Sequence, residues 1–472
     1  MSPFRLMTIV ASSFLCFVAV PAMAESCFLL LSCAPDKLFH PVKCKGDRCT
    51  TEAGGDPVPL VSMFVENHGW AVYPTNIYPK LLLPTDYYRG WLEFNDDGRA
   101  FDNFHKLAIL GKIWEMKKNG TSILIVVYIH GWHNNADNSN PTIVNNAVKF
   151  DYFMARQVDE VRRLFEQRGE ITTPAVLGVY VGWRGDSITT PKLSTMTIAN
   201  RAAAADRLAL NRGADDLYQS LKAIAEAMHE ADPDGRMLVI GHSLGGRIVT
   251  RLFLDDIAKG DFQPLGKNSL LVAMEPAVGA DCYDKVLGGS HNGRTGTPTF
   301  ISLASEDDDA VRKIYRTGSF LLSIPDCDSS SPSHGRAIGD YDAYLSHRLT
   351  YNDYHDGSLP AARFSETFPV TDSKLNWFSS LGDKPIIYRM RDIHCREKDI
   401  SACYVGDSQF YTMHFTQLDN IHRDGPVWSI RTDKSVIDIP SGDHAAVDAL
   451  HNGYISTNFT RALIEMLYAH NP

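Results

Sequence analysis

Six short apolar runs that alternate with amphipathic stretches constrain the fold of this chain most strongly. Each run is bounded by turn residues and has the length and apolar character of a strand that is buried on both faces. Strands of this kind occur in parallel sheets that carry helices on both sides. The runs are Ile123–Ile129, Ala175–Val181, Met237–Ile240, Ser269–Met274, Thr299–Leu303 and Val427–Arg431.

Two of the intervening stretches repeat apolar residues at three- and four-residue spacing, which predicts helices that bury one face. These residues are Met154, Val158, Val161 and Phe165 in one stretch, and Leu217, Leu221, Ile224 and Met228 in the other. Strands that alternate with helices predict an α/β fold with a doubly wound, mostly parallel sheet. In such a fold the ligand binds at the carboxyl ends of the strands.

The first 24 residues have the pattern of a cleaved signal peptide. Arg5 gives a positive start, Leu6 to Val20 form an apolar run, and residues 21–24 end in a small-x-small pattern. We therefore expect a secreted or periplasmic protein. Two alternatives are an uncleaved N-terminal anchor and a lipoprotein, because Leu30 to Cys33 resemble a lipid-attachment site.

Residues 25–87 are rich in Cys, Pro and Gly, which predicts an irregular extension before the main domain at 88–472. Of the nine cysteines, Cys16 lies in the signal segment, so that an even number remains in the mature chain. An even number in an oxidising compartment favours disulfides. The first four of these could pair among themselves, and Cys395 could pair with Cys403.

The formal net charge of −10 disfavours nucleic acid as a partner, because phosphate recognition needs a basic patch. A hydrophobic content of 44% is that of a globular enzyme. No segment after the signal is long and apolar enough to cross a membrane. Membrane contact is therefore expected only through a lipid substrate or an N-terminal anchor.

Residues 315–425 interrupt the alternation of strands and helices. They contain a Ser-rich tract, many aromatic residues and three cysteines, and show little regular periodicity. We expect an insertion before the last core strand. It is either a peripheral addition or a cap that covers the active site and shapes substrate choice.

The sequence Gly241-His242-Ser243-Leu244-Gly245-Gly246 follows an apolar strand directly and precedes a helical stretch at 247–257. A strand, a tight Gly-x-Ser-x-Gly turn and a helix together form a nucleophile elbow, which lifts the serine hydroxyl out at the sheet edge. This context makes Ser243 the candidate nucleophile. The alternative is a glycine-rich packing turn whose serine has no chemical role.

A second candidate segment runs from Tyr128 to Ala136 and begins at the end of the most apolar strand. A strand that leads into His130-Gly131 is where this fold class supplies a backbone donor of the oxyanion hole. We expect the N–H groups of Trp132 and Leu244 to be the two donors. His130 and His133 could instead bind a metal, but no third ligand stands at a suitable spacing.

The acid of a catalytic triad is expected in the turn after the strand that ends near Leu303. Asp308 is the first choice there and Asp307 the second, while Glu275 after the preceding strand is a further alternative. The histidine is expected between the last strand and the last helix, which starts near residue 456 or 457. His451 is preferred to His444 because it leads into that helix through a Gly-containing turn.

These residues predict acyl-transfer chemistry. His451 would take the proton of Ser243 and then pass it to the leaving group, and Asp308 would orient the imidazole. Water would hydrolyse the acyl-enzyme. This chemistry needs no cofactor and no metal, and its substrate is a small-molecule or lipid ester.

The chain resembles the α/β-hydrolase superfamily, in particular bacterial esterases and lipases. The resemblance lies in the His-Gly-Trp-x-x-Asn-Ala segment at 130–136, the Gly-Trp-Arg-Gly segment at 182–185 and the elbow at 241–246. It covers roughly 88–310 and 427–470. The Ser-x-x-Asp-x-Ala pattern at 305–310 and the His-Asn-Gly at 451–453 are similar to the acid and histidine turns of that superfamily.

Other functions use the same triad and stay open at this point. An acyltransferase, a thioesterase or a peptidase would differ only in the acceptor or in the bond cleaved. A non-catalytic binding protein could also keep the fold. Residues 187–205 could form the apolar lid that distinguishes a lipase from an esterase, or a simple surface loop that leads into a helix.

Overall fold

The computed structural model describes the greater part of the core and a few peripheral strands. The described residues are 42–45, 48–51, 65–68, 86–101, 103–132, 134, 146–170, 172–185, 198–214, 216–288, 298–306, 327–328, 330–353, 386–390, 393–396, 399–405, 409–417, 425–432, 437 and 457–469. Among them, no helix is long and apolar enough to span a membrane.

Fifteen strands are found in the described part of the chain. They are β1 (Val42–Lys45), β2 (Arg48–Thr51), β3 (Val65–His68), β4 (Asp86–Glu93), β5 (Ile123–Ile129), β6 (Ala175–Gly182), β7 (Arg236–His242), β8 (Ser269–Met274), β9 (Phe300–Ser305), β10 (His347–Asp353), β11 (Ile386–Met390), β12 (Ile393–Arg396), β13 (Asp399–Val405), β14 (Gln409–Gln417) and β15 (Val427–Thr432).

The helices of the same residues are α1 (Phe104–Lys118), α2 (Asn146–Gln167), α3 (Ile198–Leu210), α4 (Leu217–Ala231), α5 (Leu244–Ala258), α6 (Asp284–Leu287) and α7 (Thr457–Ala469). Short 3₁₀ turns lie at Ala280–Tyr283, Ile338–Asp340 and Asp342–Tyr344.

Eleven strands form one sheet in the order β11-β14-β10-β15-β9-β8-β7-β5-β6-β4-β3. Within it, the eight consecutive strands from β10 to β4 are all parallel to their neighbours. The edge strands β3, β14 and β11 pair antiparallel. The predicted α/β fold with a mostly parallel sheet is therefore confirmed.

The alternation of side chains along β5 explains why this run is apolar throughout. Ile123, Ile125, Val127 and Ile129 belong to the core on one side of the sheet, and Leu124, Val126 and Tyr128 to the core on the other. Successive side chains of a strand point to opposite faces, so that a strand covered on both faces must be apolar at every position.

The two cores are closed by different helices. The first contains side chains of α1, α3, α4 and α5, and the second contains side chains of α2 and α7. Both helices predicted from apolar spacing are present, within α2 and α4. The helices therefore cover both faces of the sheet, as a doubly wound fold requires.

The described strands of the predicted insertion at 315–425 extend the sheet beyond β15. β10 pairs parallel with β15, β14 pairs antiparallel with β10, and β11 lies outside β14. Whether other parts of this insertion cover the active site stays a prediction.

The structure contains a disulfide bond between Cys282 and Cys327, which links the segment after β8 to this insertion. Cys395 lies opposite Cys403 across β12 and β13, and Cys44 lies opposite Cys49 across β1 and β2. Directly opposed residues of antiparallel strands have a Cα spacing that a disulfide can span. The bond between Cys395 and Cys403 and the pairing of the first four cysteines among themselves stay predictions.

Candidate active site

Ser243 occupies a strained turn between β7 and α5. Its backbone φ is 57° and its ψ is −116°. A non-glycine residue with such a conformation costs on the order of 1–3 kcal/mol, and it persists only where the surrounding structure enforces it. Strain at a serine between a strand and a helix is the geometry of a nucleophile elbow.

Backbone hydrogen bonds on both sides enforce this conformation. The Ser243 N–H donates to the carbonyl oxygen of Met274 at 3.0 Å. The Ser243 carbonyl oxygen accepts from the N–H of Arg247 at 3.0 Å and from the N–H of Ala277 at 3.1 Å. The elbow is thus fixed to the end of β8 and to the turn that follows it.

Two glycines make the elbow possible because other backbone atoms pass where a Cβ would lie. A Cβ on Gly241 would stand 2.1 Å from the carbonyl oxygen of Gly245. A Cβ on Gly245 would stand 2.1 Å from the carbonyl oxygen of Ile129. A side chain at Gly241 would therefore force the two arms of the elbow apart, and one at Gly245 would force the elbow away from the end of β5.

The helix α5 begins at Leu244, immediately after Ser243, and runs for 15 residues. Its amino end, where backbone N–H groups point outward and the helix dipole is positive, therefore lies at the serine. Leu244 is buried. This arrangement favours an anion close to Ser243, which is the condition for an oxyanion hole.

The segment after β5 reaches Ser243 directly. β5 and β7 are neighbours, with Ile129 opposite Gly241. A Cβ on Gly131 would stand 2.9 Å from the Cβ of Ser243 and 2.9 Å from the carbonyl oxygen of His242. Only a glycine allows this close approach, which brings the segment of Trp132, one expected oxyanion donor, beside Ser243 and Leu244.

His130 is fully buried behind this segment. Its Nδ1 lies 2.8 Å from the carbonyl oxygen of Gly131, and its Nε2 lies 3.0 Å from the backbone nitrogen of Trp183. Burial lowers the pKa of His130 to about 4, although the contact with the Gly131 carbonyl raises it. Because both ring nitrogens contact backbone groups, the alternative of His130 as a metal ligand does not fit this geometry. His133 lies outside the described residues.

The Gly-Trp-Arg-Gly segment at 182–185 supports the loop that contains Gly131. The N–H of Gly185 donates to the carbonyl oxygen of Asn134 at 2.9 Å. Arg184 pairs with the carboxylate of Asp96, which also accepts two hydrogen bonds from Arg201. The end of β6 is thereby tied both to the loop after β5 and to the turn after β4.

A buried ion pair connects α5 to α3. The guanidinium of Arg247 makes two hydrogen bonds of 2.7 Å with the carboxylate of Asp206 on α3. A positive side chain in the first turn of a helix is unfavourable next to the helix dipole, so this arginine needs the opposite charge. No local sequence pattern indicates this pair, because its members lie 41 residues apart.

Glu275 is a second strained residue beside the elbow. It follows β8 directly, has a φ of 44° and is 1% exposed. Its Oε1 accepts a hydrogen bond from the backbone N–H of Ser305 at 2.7 Å. The carboxylate thus links the end of β8 to the end of β9, where the predicted acid turn begins. Glu275 is the further alternative to Asp308 as the acid.

The predicted acid and histidine lie outside the described residues. Asp307 and Asp308 follow Glu306, the last described residue after β9, and His444 and His451 lie between β15 and α7. β9 is separated from β7 only by β8, and all three strands are parallel. Their carboxyl ends therefore lie at the same edge as Ser243, and the assignments of Asp308 and His451 stay predictions.

The insertion contacts the turn that adjoins Ser243. The N–H of Ala280 donates to the carbonyl oxygen of Arg336 at 2.7 Å, and the N–H of Ile338 donates to that of Val278 at 3.3 Å. The disulfide between Cys282 and Cys327 lies just beyond these bonds. A part of the insertion therefore packs against the segment that follows Ala277, whose N–H donates to the Ser243 carbonyl oxygen.

Two further sequence expectations meet the structure only in part. Of the stretch at 187–205 that could form a lid, residues 198–205 belong to α3, which packs into the core, and residues before 198 lie outside the described ones.

Among the described residues, one group has metal-ligating atoms in proximity: Asp281, Cys282 and Cys327. Its two cysteines are bonded to each other and therefore offer no thiolate.

Comparison with known proteins gives no match to a protein-family model and none to a curated protein. Among solved structures, the chain is similar to phospholipase PlaB from Legionella pneumophila, whose structure was determined in complex with thio-NAD. The two chains share 10% sequence identity, with a TM-score of 0.23. The similarity covers 70% of this chain and 99% of the phospholipase chain.

Proposed function

We propose that this protein is a serine hydrolase that cleaves carboxylic esters, as an esterase or a lipase, through an acyl-enzyme on Ser243. The observation that carries the proposal is the positive-φ turn of Ser243 between β7 and the amino end of α5. The loop at Gly131 supports it, because it approaches the serine so closely that no Cβ fits.

The first half-reaction begins when the hydroxyl oxygen of Ser243 attacks the ester carbonyl carbon. His451 accepts the hydroxyl proton, and Asp308 holds the imidazole in the required tautomer. The carbonyl oxygen becomes an oxyanion, which accepts hydrogen bonds from the N–H groups of Leu244 and Trp132. Collapse of this intermediate breaks the bond to the leaving alcohol, which takes the proton from His451.

The second half-reaction uses water as the nucleophile. His451 removes a proton from the water, whose oxygen attacks the acyl carbon and forms a second oxyanion in the same hole. Collapse releases the carboxylic acid and restores the Ser243 hydroxyl with the proton from His451. Each backbone donor of the hole is expected to contribute roughly a hundredfold to the rate.

We also propose that the protein acts in an oxidising compartment, after export with a cleaved signal peptide. The disulfide between Cys282 and Cys327 supports this, because such bonds persist in secreted and periplasmic proteins. The export signal itself lies at 1–24, outside the described residues.

Hydrolysis of p-nitrophenyl esters from acetate to palmitate by the purified protein tests the proposal. The variants are Ser243→Ala and, as a matched control, Ser220→Ala, which removes another buried hydroxyl, from α4. We expect kcat to fall at least about 10⁴-fold in the first variant. The control should keep wild-type kinetics.

The chain-length profile separates an esterase from a lipase, because a lipase keeps its activity on long acyl chains presented as an aggregate. Retention of activity in the Ser243 variant would contradict the acyl-enzyme mechanism. Absence of turnover in the wild-type protein toward all esters of the series would contradict ester hydrolysis and favour another acyl substrate or a binding protein.

A further inference from the structure

The side chain of His130 contacts backbone groups on two sides of the oxyanion loop. Its Nε2 faces the N–H of Trp183, so that this nitrogen must be the acceptor. The ring proton is then on Nδ1, which donates to the carbonyl oxygen of Gly131 at 2.8 Å. The two neighbours thus specify a single neutral tautomer.

The carbonyl group of Gly131 and the N–H group of Trp132 belong to one peptide unit. A trans peptide is planar, and its C=O and N–H point in opposite directions. The described residues contain no cis peptide bond. The hydrogen bond from His130 to the Gly131 carbonyl therefore also fixes the direction of the Trp132 N–H, which faces away from the His130 ring.

The ring that makes this hydrogen bond is held rigidly. It stacks on Trp183 with 5.5 Å between the ring centroids and an interplanar angle of 6°, and it stacks on Tyr180 at the same distance. The indole Nε1–H of Trp183 donates to the carbonyl oxygen of His130 at 3.0 Å. These contacts hold the His130 ring in place, so that its Nδ1–H can fix the orientation of the loop.

We propose that His130 is a positioning residue of the active site, whose Nδ1–H turns the Gly131–Trp132 peptide so that the Trp132 N–H faces the oxyanion. The proposal rests on the proposed function, because it concerns the oxyanion of that reaction. His130 takes no part in proton transfer. It is buried, and its low pKa of about 4 keeps it neutral at the pH of the reaction.

Two substitutions separate the role in positioning from a role in packing. In His130→Asn the amide nitrogen can occupy the place of Nδ1 and donate to Gly131, while the contact with Trp183 is lost. In His130→Gln the amide oxygen can occupy the place of Nε2 and accept from Trp183, while the donor to Gly131 is lost. Both variants remove the stacked ring, and the Gln variant leaves the smaller cavity.

We expect kcat on a p-nitrophenyl ester to fall about 100-fold in His130→Gln, the effect of losing one oxyanion donor, with KM within twofold of wild type. His130→Asn should keep kcat within tenfold of wild type, although its melting temperature is no higher than that of the Gln variant. A donor that acts only in the transition state lowers kcat and leaves KM unchanged.

Equal kcat losses in the two variants, or losses that follow their melting temperatures, would overturn the positioning role. If neither variant folds, Trp183→Phe tests the same idea, because it keeps a stacked ring and removes the hydrogen bond to the His130 carbonyl. A several-fold loss of kcat at constant KM would support the proposal, and wild-type kinetics or a raised KM would overturn it.

The proposed function and the positioning role of His130 can be overturned by different results. A wild-type protein that turns over esters only with Ser243 present supports the function whatever the His130 variants do. A wild-type protein without ester turnover overturns both proposals together.

Discussion

Replacement of Gly131 by alanine tests the close approach of the oxyanion loop to the nucleophile. The added Cβ would lie 2.9 Å from both the Ser243 Cβ and the His242 carbonyl oxygen. Carbon atoms in contact stand about 3.5–4.0 Å apart, so the loop and the elbow must separate by roughly 0.6 Å. Both contacts involve backbone or Cβ atoms, which cannot turn aside as a long side chain can.

A displacement of this size removes one oxyanion donor. Effective donors lie about 2.7–3.1 Å from the oxyanion, and an added 0.6 Å brings the Trp132 N–H to about 3.5 Å, beyond a useful hydrogen bond. We expect kcat to fall about 100-fold, or roughly 2.7 kcal/mol, with little change in KM. Overpacking should also lower the free energy of unfolding by about 1–3 kcal/mol.

The matched control is Gly111→Ala. Gly111 lies within α1, and a Cβ at this position would meet nothing within 4 Å. Alanine should stabilise the helix by about 0.5–1 kcal/mol and leave kcat unchanged. Steady-state kinetics and urea unfolding of both variants provide the comparison. Wild-type kcat in Gly131→Ala would contradict this prediction, because the loop would then tolerate the displacement.

Three further predictions concern stability. The pKa of His130 is about 4 in the folded protein against 6.5 in a model peptide. As the pH falls, this histidine is therefore protonated in the unfolded chain at a higher pH than in the folded protein. The free energy of unfolding should therefore fall by about 3 kcal/mol more in wild type than in His130→Asn as the pH drops from 7 to 4, and parallel pH profiles would contradict this. Asp206→Ala removes the carboxylate that pairs with the buried guanidinium of Arg247 and should lower the free energy of urea unfolding by about 3–5 kcal/mol; a loss below 1 kcal/mol would exclude this pair as a support. Reduction of the Cys282–Cys327 bond, which closes a separation of 45 residues, should lower stability by up to about 4 kcal/mol and the melting temperature with it; an unchanged melting temperature would contradict that estimate.

The alternation of apolar strands and amphipathic helices predicted most of the core. All six apolar runs are strands of the sheet, because a parallel strand covered on both faces is apolar at most of its positions. The strand before the elbow continues through Gly241 and His242, and α5 starts at Leu244 and not at 247. Such boundaries depend on the tight turn, which the hydrophobic pattern does not report.

The strands of the insertion could not be predicted from their sequence. β10 reads His-Arg-Leu-Thr-Tyr-Asn-Asp, so that it lacks a continuous apolar run, yet it pairs with β15 and with β14. Its place in the sheet depends on pairing with strands that are distant along the chain. Local composition carries no information about such pairing.

The residues that hold the candidate site in place could not be predicted from the sequence either. No sequence signal marks Glu275 as a residue with positive φ, since glutamate rarely adopts this conformation and the surrounding turn enforces it. The partnership of Asp206 with Arg247 joins two helices. The turn at Ser243 between a strand and a helix could be predicted because it is a local motif, whereas its supports are tertiary.

Covalent labelling with a fluorophosphonate, followed by peptide mapping, tests directly whether Ser243 is the nucleophile. The reagent reacts with a serine whose hydroxyl is activated and whose oxyanion hole receives the phosphonyl oxygen. We expect one adduct per folded chain, on the peptide that contains Ser243, and none in Ser243→Ala. An adduct on another residue, or no adduct on the folded wild-type protein, would contradict the assignment of Ser243 as the nucleophile.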